Sequence, residues 1–309
     1  MSTCLKLEFE VPSPYSLWHS VRFQRLGRLD PRAQLSDNHY IFASNVRSGP
    51  ATAEVRCAES KLNTTIWGPG SEELAELLPA QLGLDQPILA DGATGLPRTL
   101  RSLQAAGIRR TARGLQRVDE TLLPLILQQL VTWREAATSW RALLDRYGTN
   151  APGPHGLRLA PTLPVFARLS LADYRQLGIG SKRAKTIRTV AQRASRTLTH
   201  REDTKPAQSQ CATFLDCPGI GPWTRAFYQG LELGMPDEVP TGDYHLPSTV
   251  SWVFAQQRRS TDLEMLRILE PYAGSRFEII RLVMASNAAA PRRNPRMPQR
   301  RVTYATSEN

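Results

Sequence analysis

"LDCPGIGPWTRAFYQGLEL", residues 215–233, decides how the rest of the chain reads. Leu215 closes a short helical run, and Pro218, which has no backbone N–H, breaks it. Gly219 and Gly221 permit positive φ and put no Cβ in the way of an approaching group. A helix restarts at Trp223 and runs to Leu233. Helix, Gly-x-Gly turn and helix together leave backbone N–H groups free at a helix N-terminus, facing outward, which is an anion site. Ile220, between the glycines, is expected to point inward and lock the turn to the core. The plain alternative is an ordinary αα-hairpin with glycine at its turn and no ligand.

The composition favours a ligand that is a polyanion. The 309 residues carry a net charge of +11 and a pI of about 9.9. Of the 39 basic residues five are lysine (6, 61, 182, 185 and 205), which leaves 34 arginines. Arginine's rigid fork of donors suits phosphates and base edges, so nucleic acid is the first partner to consider. The four cysteines (4, 57, 211, 217) form no CxxC pair and the five histidines form no HxxxH, so no zinc clip is expected. P-loop and GxSxG signatures are missing. No apolar run reaches membrane length and the N-terminus has no signal-peptide core, so a reduced, cytoplasmic chain is expected.

Outward from the hairpin, residues 1–70 read as a β-rich domain. "CLKLEFEV" alternates, and "HYIFASNV" and "ATAEVRC" are short strand-like runs between breakers. "PYSLWHSVRFQRLG" interrupts them as a helical segment. Helical sequence opens at "WGPGSEELAELLPAQLG", with Ser71 an N-cap candidate before two glutamates. Leu122, Ile126, Leu130, Trp133, Ala137, Trp140, Leu144 and Tyr147 step by three and four, which predicts one continuous helix over 121–147. "GIG" also occurs at 178–180, again ahead of a helix. The core is expected over 71–290, and the basic, proline-rich 291–309 reads as a tail.

Twenty-two residues after Gly221 a lone Asp243 stands in "VPTGDYHL". By itself an aspartate there is a good N-cap. With the hairpin upstream, the stretch resembles the helix–hairpin–helix Gly/Pro–Asp DNA glycosylases, closest to the bacterial 3-methyladenine-DNA glycosylase II type. The resemblance is rich in motifs over 120–285, thinner over 1–90, and does not reach the tail. It implies an α+β fold: an N-terminal antiparallel β-sheet domain and a mainly helical, two-lobed core. The helix–hairpin–helix spans 215–233 and the catalytic loop 236–246. In such proteins the carboxylate ends this loop, so Asp243 becomes the expected catalytic residue.

The resemblance also implies the reaction. Relatives that cut the strand carry a nucleophilic lysine two residues after the second hairpin glycine. Trp223 stands there, and an indole cannot form a Schiff base. A monofunctional glycosylase is expected: it hydrolyses the N-glycosidic bond of alkylated (3- or 7-methyl) purines and leaves abasic sites. The partner is double-stranded DNA with damaged bases, met by a monomer without metal or cofactor. The iron–sulfur loop of some branches is missing, since no cysteine follows Cys217.

Further roles follow from the same match. Pro218, Gly219, Ile220, Gly221 and Thr224 would bind the DNA backbone, helped by Lys182 and Arg183 after the second "GIG". Trp223, Phe227, Tyr244 and Phe23 would wall the base pocket, where aromatic faces attract a cationic base. Leu130, with Gln129 beside it, would fill the gap left by the flipped nucleotide. A pocket tryptophan common among relatives falls near Leu282 or Val283, which opens the alternative of bulkier or unusual adducts. A non-catalytic DNA-binding protein is the other alternative, and Asp243 argues against it because a carboxylate repels phosphates.

Overall fold

The computed structural model describes residues 4–58, 60–113, 118–199 and 207–290. The tail at 291–309 lies outside them. Five antiparallel strands form the N-terminal sheet: β1 (Cys4–Glu10), β2 (Ala33–Leu35), β3 (His39–Val46), β4 (Gly49–Ala58) and β5 (Lys61–Trp67), in the order β1-β5-β4-β3-β2. The β1–β5 register pairs Cys4 with Trp67 and Glu10 with Lys61, so Leu5, Leu7 and Phe9 share the half-buried face that the alternation announced. That face packs on α1 (Leu17–Val21) and α2 (Ser71–Leu82) around Tyr40, Phe42, Leu62, Ile66, Leu74 and Leu78. The opposite face, at Ile41 and Ala43, meets Leu157 and Leu159 of a short ribbon, β6 (Thr149–Asn150) and β7 (Arg158–Leu159).

The helical core has two apolar centres. One gathers α4 (Leu123–Leu127), α5 (Trp133–Tyr147), α6 (Leu163–Arg168), α7 (Leu171–Gln176), α8 (Ser181–Thr199), α9 (Ala207–Leu215) and α10 (Pro222–Glu232) around Trp140, Phe166, Ile187, Phe214 and Tyr228. The other gathers residues 89–108, which include α3 (Arg98–Ala105), with α11 (Leu246–Ala255), α12 (Asp262–Leu269) and α13 (Arg276–Ala285). A sheet domain followed by a two-lobed helical core is the expected α+β class. The second lobe draws in residues 89–108 from far upstream, which local periodicity does not reveal.

Two local expectations are corrected. The continuous helix over 121–147 is interrupted: a π-helical turn (Val118–Leu122) and α4 end before Gln128, and α5 begins only at Trp133. Thr132 caps α5 in a reciprocal box with Glu135, and a capped start cannot lie inside a longer helix. Leu130 therefore leaves the apolar stripe. It is 96% exposed with φ at +56°, a strained conformation for a leucine. The N-cap of α2 is Gly70, not Ser71, because a Cβ at 70 would meet the Gly49 carbonyl oxygen at 2.4 Å.

A buried charge network joins sheet domain to core. Asp30 Oδ2 pairs with Arg32 Nη2 at 2.8 Å, and Arg32 Nη1 reaches Glu120 Oε2 at 3.2 Å. Arg113 Nη2 approaches the same oxygen at 2.9 Å. Glu120 Oε1 accepts from Ser44 Oγ at 2.6 Å, and Trp140 Nε1 donates to Asp30 Oδ1 at 3.1 Å. Thr121 Oγ1 donates to Glu232 Oε2 at 2.5 Å, which carries the network onto α10. Residues 30, 32 and 44 come from the sheet domain, so this is how the two parts are aligned.

Candidate active site

The hairpin connects α9 to α10, and its shape is set by contacts as well as by glycine. Gly219 has φ at +94°, and a Cβ there would lie 2.1 Å from Thr186 Oγ1 on α8. That hydroxyl donates to the Pro218 carbonyl at 3.3 Å, so α8 presses directly on the turn. Gly219→Ala should therefore cost about 1–3 kcal/mol of stability and weaken DNA binding, read by urea unfolding and fluorescence anisotropy. At Gly221 nothing lies within 4 Å of the missing side chain. Its N–H and that of Gly219 meet no acceptor among the described residues. Pro218 and Gly219 are exposed, while Ile220 is half-buried against the core, as its position between the glycines suggests.

Thr224 and Arg183 sit elsewhere than expected. Thr224 is buried at 1% exposure and accepts from Gln129 Nε2 at 2.9 Å; the same amide donates to the Gly219 carbonyl at 3.0 Å. Gln129 thus ties the turn between α4 and α5 to the hairpin. Arg183 is half-buried and donates from Nη1 to the Leu127 carbonyl at 2.6 Å, closing the end of α4. Both residues brace the interface and do not face solvent, whereas Lys182 is exposed on the first turn of α8. Arg225 clamps the end of α9, donating to the Leu215 carbonyl at 3.0 Å and to Asp216 Oδ1 at 2.7 Å.

Leu130 stands at the tip of this brace. Burying an apolar side chain stabilises it by about 1.5–3 kcal/mol, so full exposure on a strained, braced backbone is a standing cost that folding does not repay. Leu130→Ala should leave the unfolding midpoint within about 0.5 kcal/mol of wild type and lower affinity for lesion-bearing duplex about tenfold.

Asp243 lies across the hairpin from these groups, where α10 of one lobe meets α11 of the other. Its Oδ1 accepts from the His245 and Leu246 N–H groups at 2.7 and 2.8 Å, capping α11. Its Oδ2 accepts from Trp223 Nε1 at 2.7 Å. The cap and the functional position are thus one residue, each oxygen having a separate partner. The loop behind is fixed by Asp262 Oδ2, which accepts from the Gly242 N–H at 2.8 Å. His245 supplies only its backbone to the carboxylate, and its ring packs edge-on against Tyr244.

The four expected pocket walls are not one aromatic cage. Trp223 is half-buried, packs on Phe227 at 4.9 Å, and turns its N–H to the carboxylate. Phe227 is only 6% exposed and packs on Phe277, so it belongs mainly to the core. Tyr244 is 90% exposed. Phe23 lines a cleft of about 220 Å³ between the sheet domain and α10, near Leu231 and Glu232. Leu282 and Val283 are fully buried in the second lobe. The indole-to-carboxylate bond and the orphaned polar atoms near Phe23 escape sequence reading, because side-chain direction is settled only by packing.

Among the described residues no group of three or more His, Cys, Asp or Glu side chains could hold a metal ion. No helix among them is long and apolar enough to cross a membrane. The family model of the HhH-GPD superfamily base excision DNA repair proteins matches residues 123–273, which span the wedge turn, the hairpin and Asp243. A curated relative, the "Probable bifunctional transcriptional activator/DNA repair enzyme AlkA" of Mycobacterium tuberculosis, is 32% identical over 124 residues. That match covers 39% of this chain and 24% of the relative, so the chain spans about a quarter of that protein's length. Among solved structures, a 3-methyladenine DNA-glycosylase from Archaeoglobus fulgidus superposes with a TM-score of 0.71 at 17% identity, over 90% of this chain and 97% of that one. The Clostridium acetobutylicum 8-oxoguanine glycosylase/lyase in complex with double-stranded DNA superposes at 0.61 and 14% identity, over 93% and 98%. At such identities these two establish the fold alone. With the hairpin, the family match and the shared fold in agreement, this chain belongs to the HhH-GPD superfamily of base excision DNA repair proteins.

Proposed function

We propose that the protein is a monofunctional DNA glycosylase that hydrolyses the N-glycosidic bond of a damaged purine in duplex DNA and leaves an uncut abasic site. The observation that carries the reading is the Asp243 carboxylate, held by three donors at the edge of an anion-binding hairpin. A phosphate held by the Gly219 and Gly221 N–H groups brings a deoxyribose beside it. As the base departs, C1′ gains oxocarbenium character, and a fixed anion next to it stabilises that charge. Each carboxylate oxygen has two acceptor sites, so Oδ2 keeps one for water or for the developing charge. Leu130 enters the stack, and the damaged nucleotide swings out toward the carboxylate.

Trp223 supports hydrolysis without strand cutting, since the place of an amine is taken by an indole donor that orients the carboxylate. Trp223→Phe retains the packing on Phe227 and loses one hydrogen bond to a charged group. Base release should fall about tenfold with little change in DNA affinity, a split between kcat and KM that single-turnover and binding assays resolve.

For the leaving base, the family resemblance supports 3- and 7-methylpurines, whose positive charge weakens the bond and spares the enzyme a general acid. The alternative of other adducts is favoured by the walls: Phe227 is in the core, Tyr244 is in solvent, and aliphatic Leu282 and Val283 stand where a tryptophan is common. The test incubates the protein, as a monomer with no added metal, with methylated duplex DNA and with duplexes carrying single defined lesions. Breaks that form only after hot alkali support the reading. Breaks without alkali mean a lyase. Salt-dependent binding with no release from any lesion leaves a DNA-binding protein.

A further inference from the structure

The cleft beside Phe23 is polar and unusually under-satisfied. Gln24 Oε1, Arg113 Nε, and Arg281 Nε and Nη1 are all buried without a hydrogen-bond partner. Gln24 and Arg113 line the cleft, and Arg281 abuts it: its Nη2 donates to the Ser20 carbonyl at 2.9 Å, and its guanidinium carbon lies 5.7 Å from the Phe23 ring centre. Buried polar groups are almost always paired, so several orphans around one cleft call for water or a ligand of matching pattern.

The charge balance of the cleft is also one-sided. Glu232 accepts from Thr121 and faces Arg113, so that carboxylate is already balanced. Glu278, one turn before Arg281 on α13, bonds Arg110 at 2.5 Å and the Ala90 N–H at 2.7 Å. Arg281 itself, 2% exposed, has no carboxylate within ion-pair distance among the described residues. Arg22 lies over Phe23 as well, at 5.1 Å. The aromatic face that should attract a cationic base is therefore already covered by two protein cations, and a third positive charge would be repelled in a weakly screened site. The position suits a base: Leu231, on the cleft wall, is eight residues along α10 from Trp223, which is about 12 Å of helix rise.

We propose that this pocket reads a neutral, carbonyl-bearing damaged purine through donors from Arg281 and Arg113 and an acceptor from Gln24, and rejects the cationic methylpurines. The inference rests on the glycosylase reading and sharpens its alternative. The guanidinium donates to a purine carbonyl or ring nitrogen, and the Gln24 carbonyl accepts from a ring or exocyclic N–H of the same edge. Recognition of this kind discriminates strongly, because a base lacking the matching groups leaves the orphans buried and unpaired.

The test uses two purines that share a Watson–Crick edge and differ in charge, 8-oxoguanine and 7-methylguanine. Each is placed once in a duplex, with an ordinary sugar for release and a 2′-fluoro sugar, which resists cleavage, for equilibrium binding. Wild type should bind the neutral 2′-fluoro duplex at least about tenfold more tightly than the cationic one, and release should follow the same order. Arg281→Met should erase that difference by weakening the neutral duplex alone, with affinity for abasic-site DNA and the near-ultraviolet circular dichroism unchanged. Should Arg281→Met fail to fold, Arg22→Met, at the half-exposed outer face of Phe23, should raise affinity for the 7-methylguanine duplex. Equal or tighter binding of 7-methylguanine by wild type overturns the proposal, as does an equal loss for both bases in a folded Arg281→Met protein. Discrimination in binding with no release of either base from ordinary sugars would leave the pocket standing and remove the glycosylase reading.

Discussion

Asp243→Asn removes base release, by about a thousandfold or more, while the protein still binds DNA. The loss is that large because the substitution takes away the fixed negative charge that meets the developing C1′ cation, in a site where little water screens it. The fold should survive. The asparagine carbonyl can still accept from the His245 and Leu246 N–H groups that cap α11. Its amide, however, turns a donor toward Trp223 Nε1, which now donates to Oδ2 at 2.7 Å. About 1 kcal/mol of stability should go with that bond. Single-turnover release, a urea midpoint and a binding isotherm on the same preparation check all three statements. Release within tenfold of wild type would remove Asp243 from the mechanism and leave it as a helix cap.

Glu120→Gln should destabilise the protein by about 3–5 kcal/mol, the largest effect expected away from the catalytic centre. Glu120 is 3% exposed and stands between Arg32 and Arg113, themselves 3% and 4% exposed. Neutralising it leaves two buried guanidinium groups with one carboxylate fewer, and also weakens the bonds from Ser44 Oγ and the Asn45 N–H. The urea midpoint should fall accordingly, and a loss below about 1 kcal/mol would show the network to be dispensable. Asp30 sets its acid limit. Burial pushes its carboxyl up, but the Arg32 charge and the bonds from Arg32 and the Leu26 N–H outweigh that and hold it below the usual carboxylate range. Its contribution is thus fully present above that range and is lost only as pH falls through the lowered value.

The hairpin and the aspartate were legible because each is a local device. A Gly-x-Gly turn between helices needs conformations that few other residues adopt, and a carboxylate after Thr-Gly is conspicuous in a basic chain. Alternation predicted the face of β1 for the same local reason. The helix over 121–147 was misread because three- and four-residue spacing continues through Leu130. What ends α4 is the Thr132–Glu135 capping box, together with tertiary bonds from Arg183 and Gln129. The box itself, T-x-x-E, was visible in the sequence and would have placed the break.

Backbone conformation, strand alternation, the anion-binding turn and the position of the carboxylate are dictated by residue type and near neighbours, so the sequence by itself determined the α+β class and the candidate centre. Only the tertiary structure decided what each side chain there faces. Trp223 donates to Asp243 instead of standing as a bare wall, Thr224 and Arg183 brace the wedge instead of meeting phosphates, and Phe23 is covered by arginines from α13 and from its own turn. The reason is physical. A buried donor or cation takes whichever partner the packing brings within about 3 Å, and that partner is usually remote in sequence.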